Sequence, residues 1–432
     1  MPSPARLASL VVLSGSMCGS TLFAAAIADE AAKLTVISSG ASAKIGYYAP
    51  IRATLSSEKP ATVTKVPEGL EAPLFGTLPV AGVKGRVFHV IVDEPAGKEA
   101  RLFVDANGDG DLTNDAAAEW KSKKAKGKPG DDKEYTTYNG GATLLFGGEG
   151  KTFDAHINAY RFDPNDPGRA QLKDVLLFYR DYAVEGELPL GGKSYKVMLD
   201  DGKVSGDFSG KAAGSEGGSA VTLLIDVNGN GKFDHSGESF PVDAPFNIAG
   251  TTWELADIAA DGSSMRAVKS TKTVEAVPTP PDLAVGKKIL SFEEKDLEGK
   301  TVRFPDDYKG KVVLLDFWAT WCGPCMLEMP NVVKAYEAYH DKGFEVLGVT
   351  LDSKDAVEKI RGAEKDKGMK WPQIYDGGGW KAKLATQFSI HSIPQAYLVD
   401  GNTGEILATG DAIRGEQLAK SIEAALAKRK NG

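Results

Sequence analysis

The chain has 432 residues, 42% of them hydrophobic and 25% charged, and a formal net charge of -8. That length exceeds one ordinary domain and implies about two or three, each large enough for its own core, while the acidic balance argues against a nucleic-acid or anionic-membrane surface. Cysteine occurs only at Cys18, Cys322 and Cys325, which excludes a disulfide-stapled scaffold and leaves each cysteine to be read on its own.

Segment 1–28 reads as an export signal. Arg6 supplies positive charge, Leu7 to Leu13 is an apolar run, and Ala26-Ile27-Ala28 offers small residues for cleavage before Asp29. A periplasmic or otherwise exported protein with a cleaved signal is expected. Two other fates compete with cleavage. Leu7 to Ala28 is nearly long enough for an uncleaved membrane anchor, although Ser14, Gly15, Ser16, Gly19 and Ser20 interrupt it. Cys18 could carry a lipid as in bacterial lipoproteins, although Gly15-Ser16-Met17 fits their pattern poorly. If Cys18 leaves with the signal, the two remaining cysteines are separated by two residues, and chemistry between them is the simplest reason for their presence.

From 29 to 272, runs such as Arg86 to Asp93, Ala100 to Asp105, Val221 to Asp226 and Thr252 to Ala256 predict short strands bounded by Gly and Asp. The region also repeats. Gly76 to Gly82 is echoed by Gly186 to Gly192, and Leu102 to Gly110 is echoed without a gap by Leu223 to Gly231. A tandem pair of β-rich modules, 29–160 and 161–272, each a sandwich or barrel, is expected. The repeated loops place Asp105, Asn107, Asp109 and Asp111, and again Asp226, Asn228, Asn230 and Asp234, at alternate positions around Gly110 and Gly231. That spacing resembles a calcium-binding EF-hand or dockerin loop and implies structural calcium. The twelfth positions, Ala116 and Gly237, lack the usual carboxylate, with Glu119 and Glu238 the nearest replacements. Tight Asn-Gly and Asp-Gly hairpin turns explain the same residues equally well.

Pro278, Pro280 and Pro281 mark a linker over 273–282. Beyond it, Val312 to Trp318 is apolar except for Asp316, as befits a central strand buried on both faces. Cys322-Gly323-Pro324-Cys325 follows, and then Met326, Leu327, Met329, Val332, Val333, Tyr336 and Tyr339 recur at helical spacing. Cys322 therefore falls at a helix N-terminus, whose positive end favours the thiolate that attacks disulfides. Cys325, one turn on, is placed to resolve the mixed disulfide, and Gly323 and Pro324 shape the turn. A zinc site would need two further ligands; no second cysteine pair exists, and His340 and His391 are scattered.

Lys311 to Pro330 resembles the thioredoxin superfamily, in particular its exported TlpA- and ResA-like branch, and the resemblance extends over 283–432. It implies an α/β thioredoxin-like domain after the β-rich modules, and hence a multidomain thiol-disulfide oxidoreductase. Ile393-Pro394 before Ala396 to Val399 matches the family's cis-proline loop. The implied roles are Cys322 as nucleophile, Cys325 as resolving cysteine, and Pro394 as the residue shaping the substrate groove, with Trp321, Gly323, Pro324 and Ile393 around it. Asp316 matches a buried carboxylate that helps move the Cys325 proton, and Glu328 an acidic residue typical of the exported branch. One departure stands out: the lysine that neighbours the buried carboxylate in typical thioredoxins is replaced by Gly348. Apart from the redox-active Cys322–Cys325 disulfide and the structural calcium, no cofactor is implied. Expected partners are protein thiols and disulfides and a membrane thiol electron donor, with cytochrome c maturation as one use and no nucleic acid. Two other readings compete: a thiol peroxidase of the peroxiredoxin kind, and a calcium-stabilised binding platform with an accessory redox domain.

Overall fold

The computed structural model describes residues 32–80, 83, 85–126, 133–148, 151–211, 220–234 and 236–430. Segment 1–28, with Cys18, lies outside them. Among the described residues no helix is long and apolar enough to cross a membrane.

The strands upstream of the linker are built on the two-residue period. In Lys151–Phe162, Ala155, Ile157 and Ala159 turn inward while their neighbours are less buried. Two eight-stranded antiparallel sheets result. One runs Arg101–Val104, His89–Asp93, Pro73–Thr77, Ile51–Ser56, Val175–Arg180, Lys151–Phe162, Glu134–Gly148, Glu119–Lys126. The other runs Ser239–Pro241, Val221–Ile225, Lys193–Asp201, Ala183–Leu190, Ala32–Ile37, Ser264–Lys269, Thr251–Ala256, Phe246–Ile248. The sequence repeat has a structural counterpart. Pro73–Thr77, His89–Asp93 and Arg101–Val104 form a meander matched by Ala183–Leu190, Lys193–Asp201 and Val221–Ile225. A polar loop follows the third strand of each.

Pairing crosses the expected division at 160. Ala32–Ile37 sits in the second sheet between Ala183–Leu190 and Ser264–Lys269, and Val175–Arg180 sits in the first between Ile51–Ser56 and Lys151–Phe162. The two sheets share one core, in which Val90, Phe146 and Phe178 join Val184, Leu199 and Leu223. The repeat marks equivalent strands, but long-range hydrogen bonding decides which sheet a flanking strand completes. A buried ion pair also joins the sheets: Arg180 of the first donates from Nε and Nη2 to Asp200 of the second, and both side chains are almost wholly buried.

The C-terminal region opens with a hairpin of β1 (Phe292–Lys295) and β2 (Thr301–Phe304). A five-stranded sheet follows, of β3 (Val312–Trp318), β4 (Phe344–Thr350), β5 (Gln373–Ile374), β6 (Gln395–Asp400) and β7 (Ile406–Thr409), in the order β5-β4-β3-β6-β7. β3 is parallel to β4 and antiparallel to β6, and all seven of its residues are buried. Helices α1 (Gly323–Tyr339), α2 (Val357–Lys367), α3 (Lys383–Gln387) and α4 (Gly415–Lys430) complete the thioredoxin-like domain, with α1 and α4 in contact. Its core, from Val313, Leu315 and Phe317 to Ile422, is separate from that of the β region.

Candidate functional site

The site forms where the buried β3 strand ends. Thr320, two residues past β3, is fixed by Asp352 beyond the end of β4: its amide donates to Oδ2 at 2.9 Å and its hydroxyl to Oδ1 at 2.6 Å. Asp352 is itself buried and accepts from the Thr350 hydroxyl. This clamp sets the start of the turn that delivers Cys322 to the N-cap of α1, where its Sγ accepts from the Cys325 amide at 3.2 Å. Pro324 occupies the first turn, where its missing N–H costs nothing. The Met326 amide donates to the Cys322 carbonyl at 3.0 Å, which continues the helix. Cys322 and Cys325 are joined by a disulfide with Cα atoms 5.3 Å apart. Both are buried. Once the disulfide is reduced, the N-cap geometry turns the helix's free amides and positive end toward the Cys322 sulfur, which favours its thiolate.

The Ile393–Pro394 peptide is cis. Two large aromatic residues remain open to solvent beside the cysteines. Trp321 is 53% and Trp380 47% exposed, and their rings lie 5.7 Å apart. An exposed aromatic pair next to a redox disulfide suits an apolar stretch of a polypeptide.

Asp316 lies on β3 and is 5% exposed, with its Oδ1 lacking any hydrogen-bond partner. Burial pushes its pKa up to about 6; the Arg414 charge works against that rise and the Glu328 charge adds to it. Glu328, three residues after Cys325 on α1, accepts the Gly415 amide on Oε1 at 2.8 Å. Trp318 is fully buried, and its indole donates to Gln373 Oε1 at 2.9 Å. Sequence reasoning did not single out Asp352, Gln373, Trp380 or Arg414. Only the exposed tryptophan left a local signal; the others act over long sequence separations.

The two calcium-loop candidates hold their turns with their own side chains. Asp105 accepts from the Gly108, Asp109 and Gly110 amides, Asn107 from Asp109, and Asp109 from Asp111. Asp111 turns outward to an ion pair with Lys65. In the second loop Asp226 accepts from Gly231, Asn228 from Asn230, and Asn230 from Lys232. Glu238, fully buried, accepts from Val227, Asn228 and Asp234. Burial raises the pKa values of Asp105, Asp115, Asp234 and Glu238. Among the described residues no group of three His, Cys, Asp or Glu side chains is arranged to hold a metal ion.

The AhpC/TSA family model matches residues 285–407. A thiol-disulfide oxidoreductase ResA of Bacillus thuringiensis subsp. konkukian is 33% identical over 146 residues, which is 34% of this chain and 79% of that protein. The ResA of Geobacillus kaustophilus is 34% identical over 144 residues, 33% of this chain and 78% of the relative. A crystal structure of the thioredoxin domain of a thiol-disulfide oxidoreductase from Bacteroides vulgatus is 31% identical and covers 33% of this chain and 99% of its own, with a TM-score of 0.30. With 34% of its length aligned at 33% identity to 79% of a ResA protein, and its cysteine pair at a helix N-cap, this chain belongs to the ResA family and is a thiol-disulfide oxidoreductase.

Proposed function

We propose that this protein is an exported reductase of protein disulfides. The observation that carries the reading is the N-cap placement of Cys322, with the Cys325 amide donating to its sulfur. The Cys322 thiolate attacks one sulfur of a client disulfide, forming a mixed disulfide and releasing a client thiolate that takes up a proton. Cys325 passes its proton to Asp316 and attacks Cys322 Sγ, which forms the Cys322–Cys325 disulfide and expels the second client sulfur as a thiolate that takes up a proton in its turn. Two electrons thus move from enzyme to client, and a membrane thiol donor returns them. Asp316 suits the proton step because burial brings its pKa near neutrality. Pro394, Ile393, Gly323, Pro324 and Trp321 form the groove, and Glu328 supports the proton step beside Asp316. The reducing direction rests on the Gly-Pro dipeptide, which is that of reducing thioredoxins; cytochrome c maturation is one use that fits.

The first measurement is the potential of the Cys322/Cys325 pair, by thiol trapping across graded glutathione and dithiothreitol buffers. Potentials in this class span about 150 mV, roughly 7 kcal/mol. A value at the reducing end supports the reductase and one at the oxidising end reverses the direction. Cys322→Ser should abolish insulin disulfide reduction, on the order of 1,000-fold or more. Peroxide turnover exceeding disulfide reduction would make the protein a thiol peroxidase instead.

Export through 1–28 predicts a mature N-terminus near Asp29, read by N-terminal sequencing of protein recovered from the periplasm; an intact or lipidated N-terminus would replace cleavage by anchoring. The β region, 29–272, then precedes the linker 273–282 and the redox domain 283–432. Structural calcium in its loops is supported by Asp226, 6% exposed, whose Oδ1 has no hydrogen-bond partner. Any ion there would draw on asparagine and main-chain oxygens as well as carboxylates. Calcium added to chelator-treated protein should raise its melting temperature, and an unchanged value would leave the loops as turns.

A further inference from the structure

The position that holds a lysine in typical thioredoxins has no room for one here. Gly348 of β4 pairs directly with Asp316 of β3. A Cβ at Gly348 would lie 1.9 Å from Gln373 Oε1. That amide oxygen accepts from the Trp318 indole, so the space beside Gly348 is taken by a neutral side chain. On the other flank of β3, Asp316 pairs with Ala396. Neither adjacent strand position brings a charge.

The cation arrives from a different element. Arg414 ends the short 3-10 turn Gly410–Ile413 that leads from β7 into α4. Its Nη2 donates to the Pro394 carbonyl at 2.6 Å, and its positive charge acts on Asp316. The next residue, Gly415, gives its amide to Glu328 of α1. The charged groups that act on Asp316 are thus Glu328 from α1 and Arg414 from the start of α4, with Cys325 on the first turn of α1. One junction, 414–415, contacts the cis-proline loop and the acidic residue of α1 while its charge reaches the buried carboxylate.

We propose that Arg414 is a positioning residue of the exchange reaction, which fixes the Pro394 carbonyl at the substrate groove and supplies the positive charge facing Asp316. It touches no reacting atom. It acts through the Pro394 carbonyl and the Asp316 carboxyl, and so couples the shape of the groove to the proton step. The inference rests on the reading of Asp316 as acceptor of the Cys325 proton.

The test uses the full chain and its Arg414→Gln, Arg414→Lys and Asp316→Asn variants. Two quantities are followed from pH 5 to 9: the Asp316 carboxyl itself, by carbon-13 NMR of the oxidised protein, and insulin reduction with dithiothreitol as electron source. In Arg414→Gln the Asp316 midpoint should move up by about half a pH unit or more, because the cation favouring the carboxylate is gone. The pH–rate profile should move with it, and KM for insulin should rise as the Pro394 carbonyl loosens. Arg414→Lys should restore the midpoint, since the charge returns, and only part of the KM, since the planar guanidinium that reaches the Pro394 carbonyl does not. An Asp316 midpoint unmoved in Arg414→Gln, or a midpoint that moves while rate profile and KM stay fixed, would overturn the assignment. Asp316→Asn separates the two readings: an unchanged pH–rate profile there removes Asp316 from the proton step, whereas the Arg414 midpoint is judged independently of it.

Discussion

Two groups of buried carboxylates, one in each region of this molecule, are treated in opposite ways. In the β region, Asp200 is held by both Nε and Nη2 of Arg180, and Asp201 accepts from the Tyr182 hydroxyl and the Ser205 and Gly206 amides. Arg161 is paired with Glu94. In the thioredoxin-like domain Asp316 is as deeply placed, yet one of its oxygens meets no donor. A cation bonded to a buried carboxylate fixes one arrangement of the chain; burial without such a cation raises the pKa of Asp201 and Asp316 alike, and only Asp316 also keeps an oxygen without a hydrogen-bond partner. Under the proposed mechanism, that free oxygen is what sets Asp316 apart, as a proton acceptor, from the fully hydrogen-bonded Asp200 and Asp201. Among the described residues of the β region, Asp115 and Asp226 each have one buried carboxyl oxygen without a hydrogen-bond partner, and both fall in the two repeated loops.

The sharpest way to break this contrast is to remove a partner from the scaffold. Asp200→Ala leaves the Arg180 guanidinium buried between the sheets without its carboxylate, and the cost should be about 3–5 kcal/mol. Calorimetry should show the β-region transition falling steeply while the redox domain's transition stays in place, because the two cores are separate. A loss below about 1 kcal/mol would mean that the pair behaves as a surface ion pair and that the sheets are not joined by it.

Asp316→Asn should do the reverse and stabilise the oxidised protein. The folded pKa, about 6, lies above the ordinary value of 3.8, so the native state binds this proton more tightly than the unfolded chain. Stability is therefore lost as pH rises from about 4 to about 6, and above that range the full penalty applies, about 3 kcal/mol at 1.36 kcal/mol per pKa unit. The asparagine variant should match the parent near pH 3 and exceed it at pH 8. Urea unfolding followed by tryptophan fluorescence is suitable, since Trp318, Trp321, Trp371 and Trp380 all report on this domain. Equal stability at both pH values would remove the buried-charge argument.

The same division governs what could be read from the sequence. The redox centre was legible because its signals are contiguous: an apolar run with one aspartate, then Cys-Gly-Pro-Cys, then a helical period. The absence of the usual lysine at Gly348 was legible too, but its replacement was not. Arg414 lies 98 positions beyond Asp316, and the packing of the 410–413 turn on β6 and β7, with α4 against α1, sets where it lies. In the β region, strands and turns were visible one at a time, and so was the repeat. That Ala32–Ile37 completes the second sheet and Val175–Arg180 the first was not, because both rest on backbone pairing between strands far apart in the chain. Periodicity tells which way a side chain points and is silent about which strand lies beside it.

A smaller effect tests whether the active-site turn behaves as scaffold or as chemistry. Thr320→Val keeps the shape of the side chain but removes the hydroxyl that donates to Asp352 Oδ1, leaving the Thr320 amide and the Thr350 hydroxyl on Oδ2. One hydrogen bond to a buried carboxylate is lost, about 1–2 kcal/mol. If the clamp only supports the fold, stability falls by that amount and the exchange rate is unchanged. We expect both to fall, the rate by about fivefold, because the turn that Asp352 holds presents Cys322 to its substrate and a looser turn spends less time in the attacking geometry. Stopped-flow reduction of a small aromatic disulfide gives the rate without contacts from the wider groove. A rate equal to the parent's would place Asp352 with Asp200 among the residues that only hold the structure together.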